Sequence, residues 1–102
     1  MEEELSEGGV KSYCRYLVDM AYWNPRSPHD VALLLKEIQS RNLSHQIDYD
    51  GDTQEYTAYV WVEQTNDQLE KSSIVEYSHQ DKCLFYAISK ATAKMVRYAI
   101  ED

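Results

Sequence analysis

The chain has 102 residues, of which 43% are hydrophobic, and its 18 Asp and Glu against 10 Lys and Arg give a formal net charge of −8. This length and apolar fraction predict one globular domain with a single core and exclude a disordered chain. The negative charge disfavours direct nucleic-acid binding, which requires clustered Lys and Arg. The acidic N-terminus and the lack of a long apolar run predict a cytoplasmic protein, with neither a signal peptide nor a membrane span.

The first elements are predicted from composition and hydrophobic spacing. Residues 1–9 are rich in Glu and end in Gly8-Gly9, which predicts a flexible acidic tail. Apolar residues then recur at helical spacing over residues 10–22. Everything from residue 10 onward, residues 10–102, is predicted to form a single α+β domain.

The middle of the chain changes from helical to strand periodicity. Ser27 is a preferred N-cap and Pro28 suits the first helical position, so a second helix is predicted from there to about Arg41. Two-residue alternation follows on either side of Asp50-Gly51, which predicts a β-hairpin. A tight type I′ turn is expected there, with positive φ at the glycine.

The hydrophobic alternation of the second strand predicts which of its residues face the helices. The apolar set predicted to face the helices consists of Tyr56, Ala58, Val60 and Val62. A shift of one residue would expose that whole set, so Tyr59 and Trp61 are expected on the opposite face. A third strand is predicted over residues 73–77, and Ser78 with Asp81 then predicts a capping box for a third helix.

The third helix is expected to bury one face and to expose the other. The residues predicted on its buried face are Leu84, Phe85, Ile88, Ala91, Met95 and Ala99. The element order is then α-α-β-β-β-α, which predicts an α+β fold with a three-stranded antiparallel meander packed with three helices.

An acidic window occupies the predicted hairpin. Between Arg41 and Lys71 there is no Lys or Arg, but there are seven carboxylates together with several Tyr and one Trp. A rigid acidic surface with large aromatic side chains suits a basic protein partner better than a nucleic acid. The candidate binding residues are Asp48, Asp50, Asp52, Glu55, Tyr59, Trp61 and Glu63. The alternative is that Tyr59 and Trp61 are partly covered by a helix, or pack across the sheet onto Tyr49 or Tyr77.

No motif indicates catalysis, a cofactor or a metal. Asp48 to Asp52 lacks the Gly and Glu positions that a calcium loop of the EF-hand type needs. His79 and Cys83 are four residues apart, but zinc would need two more ligands that the spacing does not supply. No Gly-rich phosphate loop or nucleophile elbow is present, so a non-enzymatic protein without metal or cofactor is expected. Cys14 and Cys83 are expected to be buried thiols.

Three segments together resemble a known family. They are Trp23 followed by the capped helix start Ser27-Pro28-His29-Asp30-Val31-Ala32, the two strands around Asp50-Gly51, and the Cys-containing segment Lys82-Cys83-Leu84-Phe85-Tyr86-Ala87-Ile88. Over roughly residues 20–96 the chain resembles small phage-encoded α+β proteins, in particular the phage α-β-α sandwich domain. The resemblance implies no catalytic residues. It implies a phage protein, and small acidic phage proteins often inhibit host defence nucleases, as anti-CRISPR and anti-restriction proteins do.

The sequence therefore favours an inhibitor or modulator, monomeric or homodimeric, that binds a basic, nucleic-acid-handling host protein in the host cytoplasm. Two alternatives remain open. One is a module that binds a nucleotide signal through Arg15, Arg26, Lys36 and Arg41. The other is a structural or assembly protein that oligomerises through a sheet edge or through the aromatic face.

Overall fold

The computed structural model describes residues 4–66 and 71–101. Its elements are α1 (Glu7–Val18), α2 (Pro28–Ser40), β1 (Ser44–Asp50), β2 (Glu55–Asn66), β3 (Lys71–Asp81) and α3 (Leu84–Glu101). The strands form one antiparallel sheet in the order β1-β2-β3, so β2 lies in the centre. The predicted α+β class and the order α-α-β-β-β-α are confirmed. In the described part of the chain, no helix is long and apolar enough to cross a membrane.

Both early helices begin at a serine cap. Ser27 Oγ accepts a hydrogen bond from Asp30 N at 3.3 Å, and Pro28 occupies the first helical position, as predicted. The start of α1 differs from the prediction, because Ser6 Oγ accepts from Gly9 N at 3.1 Å and the helix begins at Glu7. An N-cap hydroxyl satisfies a backbone N–H that the first helical turn leaves unpaired, which offsets the weak helix propensity of glycine.

The residues before α1 contribute to the core, so the predicted tail over residues 1–9 is wrong for its second half. The Leu5 side chain is only 7% exposed and belongs to the hydrophobic core. A Cβ atom on Gly9 would come within 2.9 Å of Leu5 Cδ1, so glycine makes the space in which Leu5 packs. Residues 1–3 lie outside the described residues.

The hairpin loop is longer than predicted. β1 ends at Asp50 and β2 begins at Glu55, so four residues connect the strands. Gln54 has a φ of 57°, whereas no described glycine has a positive φ, so the predicted type I′ turn at Gly51 is wrong. Asp50 determines the loop, because its carbonyl accepts from Gln54 N and its carboxylate accepts from Asp52 N, both at 2.8 Å. A side chain that binds the backbone two residues on makes an Asx turn.

The predicted cap at Ser78 is also wrong, because β3 continues through it. Ser78 pairs with Tyr59 of β2, and the strand ends only at Asp81. Asp81 Oδ1 then accepts a hydrogen bond from Cys83 N at 2.8 Å, and α3 begins at Leu84. Strand β3 begins at residue 71 and is therefore longer at both ends than the strand predicted over residues 73–77. Residues 67–70, between β2 and β3, lie outside the described residues.

Helix α3 is the central layer of the protein. It packs on β2 and β3 with one side and on α1 and α2 with the other. Ala93, which is opposite the predicted buried face, is 0% exposed, whereas Ala99 on the predicted face is exposed. A helix that is buried nearly all round lies inside a protein. The prediction of a single buried face is therefore wrong, and with it the buried position of Ala99.

The register of β2 agrees with the prediction. Ala58 and Val60 are fully buried, and Tyr56 and Val62 are partly buried against the same core. Since α3 covers that side and α1 and α2 lie beyond α3, the described helices leave the other side of the sheet uncovered. We call this uncovered side the open face.

The two thiols are free and differ in burial. Cys14 is fully buried, and its Sγ donates to the carbonyl of Ser89 at 3.4 Å. Cys83 is only partly buried. The predicted shielding is therefore complete for Cys14 and partial for Cys83.

Candidate functional site

The central strand, β2, runs along the middle of the open face. Its outward residues are Glu55, Thr57, Tyr59, Trp61 and Glu63, as the pairing with β1 and β3 shows. Alternate residues of a strand are separated by about 6.7 Å, so the two glutamates lie about 27 Å apart with the two large rings between them. The predicted surface of aromatic residues flanked by acids is present along β2.

A shallow depression of about 440 Å³ occupies the middle of this face, and we call it the open-face depression. It is lined by Gln46 and Asp48 from β1, Tyr59 and Trp61 from β2, and Ile74 and Glu76 from β3. Three of the predicted binding residues therefore lie together: Asp48, Tyr59 and Trp61. Glu55 and Glu63 are on the same face outside the depression, and Asp50 and Asp52 are at the hairpin loop.

The two rings are partly buried without a helix above them. Tyr59 and Trp61 have intermediate exposure, and next to them Ile74 is 67% exposed. Their neighbours are not the tyrosines considered above, because Tyr49 packs on Tyr56 and Tyr77 packs on Tyr98 on the helix side of the sheet. Both alternatives for the burial of Tyr59 and Trp61 are thus wrong, and the rings remain available on the surface.

All the charged side chains that the structure describes on the open face are acidic. The outward acidic residues are Asp48, Asp50, Glu55, Glu63 and Glu76. None of the outward side chains that the structure describes is Lys or Arg, and Lys71 is the one Lys or Arg within the three strands. Gln46 Nε2 donates to Asp48 Oδ1 at 3.0 Å, which holds that carboxylate at the edge of the depression.

Three residues of the depression were not predicted: Gln46, Ile74 and Glu76. Gln46 follows from the same alternation as Asp48, two residues away on β1. Ile74 and Glu76 depend on the register of β3, in which Trp61 pairs with Glu76. The outward position of Glu76 is indicated by the alternation of residues 75–78, in which Val75 and Tyr77 are more apolar than Glu76 and Ser78. Ile74 then lies on the same side because it is two residues before Glu76.

A second polar cluster joins the N-terminal segment to α3 and β3. The Lys90 side chain is 8% exposed, and its Nζ lies 3.0 Å from Glu4 Oε1. This hydrogen bond and charge lower the pKa of the Glu4 carboxyl. One turn along α3, Lys94 Nζ donates to the carbonyl of Ser78 at 2.7 Å. The cluster therefore fixes residue 4 and the sheet edge onto the central helix.

His79 of β3 adjoins that cluster. Burial, and then the charges of Lys90 and Lys94, lower the pKa of its imidazole. Its ring meets the ring of Tyr86 edge-on, with the centroids 5.9 Å apart. Within the described residues, no three His, Cys, Asp or Glu side chains come together to hold a metal.

The arginines proposed for a nucleotide signal are not brought into one pocket. Arg26 stacks over the ring of Tyr86 at 4.3 Å and pairs with Glu7 at 3.0 Å. Arg41 pairs with Glu37 at 2.9 Å. Arg15 lines a separate depression beside α1. The geometry does not favour binding of a multiply charged ligand by these residues.

Comparisons with protein-family models, with curated proteins and with solved structures found no match to this chain. A functional assignment must therefore rest on the surface that the chain presents.

Proposed function

We propose that this protein is a non-enzymatic inhibitor or modulator that binds a basic, nucleic-acid-handling protein through the open face. The observation that supports it is the open-face depression, where Tyr59, Trp61 and Ile74 lie between carboxylates with no Lys or Arg beside them in the described face. The narrower proposal, a phage-encoded protein that acts in the host cytoplasm on a defence nuclease as anti-CRISPR proteins do, rests on the family resemblance.

The aromatic residues of the depression suit the role of anchors. Tyr and Trp bury a large area with few rotatable bonds, and they are enriched among the residues that dominate interface energies. Tyr59 and Trp61 are already partly packed on a three-stranded sheet in the free protein. The entropy lost in ordering these two side chains on binding should therefore be small.

The carboxylates suit the role of steering groups. A surface that evolved to bind phosphates presents Lys and Arg, and carboxylates spaced along a rigid strand attract the same side chains. Glu55 and Glu63 flank the rings on either side along β2, while Asp48 and Glu76 flank them on the neighbouring strands. The same charges oppose the pairing of two open faces, so a homodimer would form through another surface.

The test is a binding assay with three forms of the protein. Immobilised wild type, Trp61→Ala and Tyr22→Ala are exposed to lysates of candidate host cells. Tyr22 is a matched control, because it is an aromatic residue that is 89% exposed and lies between α1 and α2, away from the open face. We expect basic proteins to be retained by the wild type and by Tyr22→Ala, and to be lost with Trp61→Ala.

Salt and nucleic acid provide the second criterion. At 1 M salt charges are screened over about 3 Å, against about 8 Å at physiological ionic strength, so the retained protein should be released as salt rises. A DNA or RNA duplex should compete for it. A partner that binds Trp61→Ala as tightly as wild type, or that stays bound at high salt with its nucleic acid in place, would contradict the proposal.

A further inference from the structure

A second recess lies at one end of the molecule, and we call it the end cleft. Its volume is about 580 Å³, within the range of about 300–1,000 Å³ typical of small-molecule sites. Residues from α1, β2 and the last turns of α3 line it, together with residues 41 and 43 between α2 and β1. It lies on the helix side of the sheet, so it is independent of the open face and of the function proposed for that face.

The lining of the end cleft is mostly apolar. Leu17, Met95 and Val96 are nearly fully buried and contribute to it from the core. Tyr16 and Ile100 also line it and are 69% and 48% exposed, so large apolar side chains stand at its rim. Contiguous exposed apolar surface next to a recess is typical of ligand-binding grooves.

One cationic side chain lines the end cleft. Arg41 is the one ionised side chain among its described lining residues, none of which is Asp or Glu, although the chain has a net charge of −8. The Arg41 side chain is 53% exposed, and its Nε donates to Glu37 Oε1 at 2.9 Å. A guanidinium has further N–H donors beyond the one used in this bond.

We propose that the end cleft binds a medium-chain fatty acid. The apolar lining suits an aliphatic chain, and the single cation suits a single carboxylate, which arginine binds with strong, charge-assisted hydrogen bonds. A nucleotide would bring several negative charges to one arginine, and an uncharged apolar ligand would make no use of the N–H donors that Arg41 has beyond its bond to Glu37.

The first test is calorimetric titration with octanoate, decanoate and decanol. Burial of each added CH₂ should tighten binding about fourfold until the chain fills the cleft. Arg41→Gln should weaken decanoate binding about tenfold or more and should leave decanol binding unchanged. Equal loss of both ligands, or equal binding of decanol and decanoate to the wild type, would overturn the role of Arg41 and the proposal with it.

The second test blocks the cleft. Ala99 lines it and is exposed, so Ala99→Trp fills the space without entering the core; Ala32, exposed on α2, is the matched control. Decanoate should bind Ala32→Trp as it binds wild type and should not bind Ala99→Trp, with both variants folded by circular dichroism. Unchanged binding to Ala99→Trp would overturn the proposal. A wild-type dimer that Ala99→Trp dissociates would do the same, because a second copy of the chain would then occupy the cleft.

Discussion

Two substitutions on the same helix test the central position of α3. Ala93 is 0% exposed on the side that faces away from the predicted buried face, whereas Ala99 is exposed. We choose Ala93→Gln and Ala99→Gln, because Ala and Gln are both good helix formers and the change adds no charge that would interact with the helix dipole. A helix buried on its predicted face alone would tolerate the first change better than the second. The structure reverses that order.

The expected magnitude follows from burial. At Ala93 the new side chain must be accommodated in packed surroundings, which costs about 1–3 kcal/mol, and its buried amide must lose water without a prepared partner, which costs about 1–3 kcal/mol more. The free energy of unfolding should thus fall by about 2–6 kcal/mol. For Ala99→Gln it should change by less than about 0.5 kcal/mol, as for an ordinary surface position.

Urea unfolding followed by far-ultraviolet circular dichroism measures the difference. Small domains lose about 1–3 kcal/mol of stability per molar urea, so the midpoint of Ala93→Gln should shift by about 1 M or more at constant slope, while that of Ala99→Gln stays in place. Thermal melts should agree, at about 4–8 °C per kcal/mol for a chain of this size. Equal midpoints for the two variants, or a larger loss for Ala99→Gln, would refute the central position of α3.

Three further predictions concern thiols, pH and binding kinetics. When labelling by a thiol reagent is followed by mass spectrometry, partly buried Cys83 should react first. Cys14 should react only as fast as the protein opens, because it is buried and burial raises the pKa of its thiol. Equal labelling rates for the two cysteines would contradict this. Burial and two neighbouring lysines lower the pKa of His79 below 6.5, so the unfolded chain takes up the proton first and stability should decrease as pH falls from about 6.5. In urea melts between pH 7 and pH 5, His79→Gln should flatten that decrease, and an unchanged slope would exclude His79 as its source. By surface plasmon resonance on a captured partner, Trp61→Ala should speed dissociation, whereas Glu55→Lys should mainly slow association; the opposite pattern would show that the ring does not anchor the complex.

Local signals in the sequence were sufficient for most elements. Ser27-Pro28 predicted the start of α2 because a cap and its helix are adjacent in sequence. The alternation from Tyr56 to Val62 predicted which face of β2 is buried, and with it the outward position of Tyr59 and Trp61. These features depend on neighbouring residues, so periodicity was enough to find them.

The predictions were wrong where the local structure is determined by residues that are distant in the sequence. Ser78 and Asp81 match a capping box, but Ser78 pairs with Tyr59, and strand pairing of that kind is not visible in a local pattern. Lys90 is unexpected in a buried helix position, and its partner Glu4 is 86 residues away in the chain. Gly8-Gly9 predicted a flexible N-terminal tail, whereas the space beside Gly9 is filled by the Leu5 side chain.

The layering of the sheet has a consequence for how this protein can change over evolution. Successive residues of a strand point to opposite sides, so each outward position of β2 lies between two that face α3. Outward residues such as Thr57 and Glu63 can therefore be exchanged without repacking Ala58 and Val60, the fully buried residues of the same strand. A library that randomises only the open face should keep its fold in most members, and the surface could acquire new specificities while the scaffold beneath it stays the same.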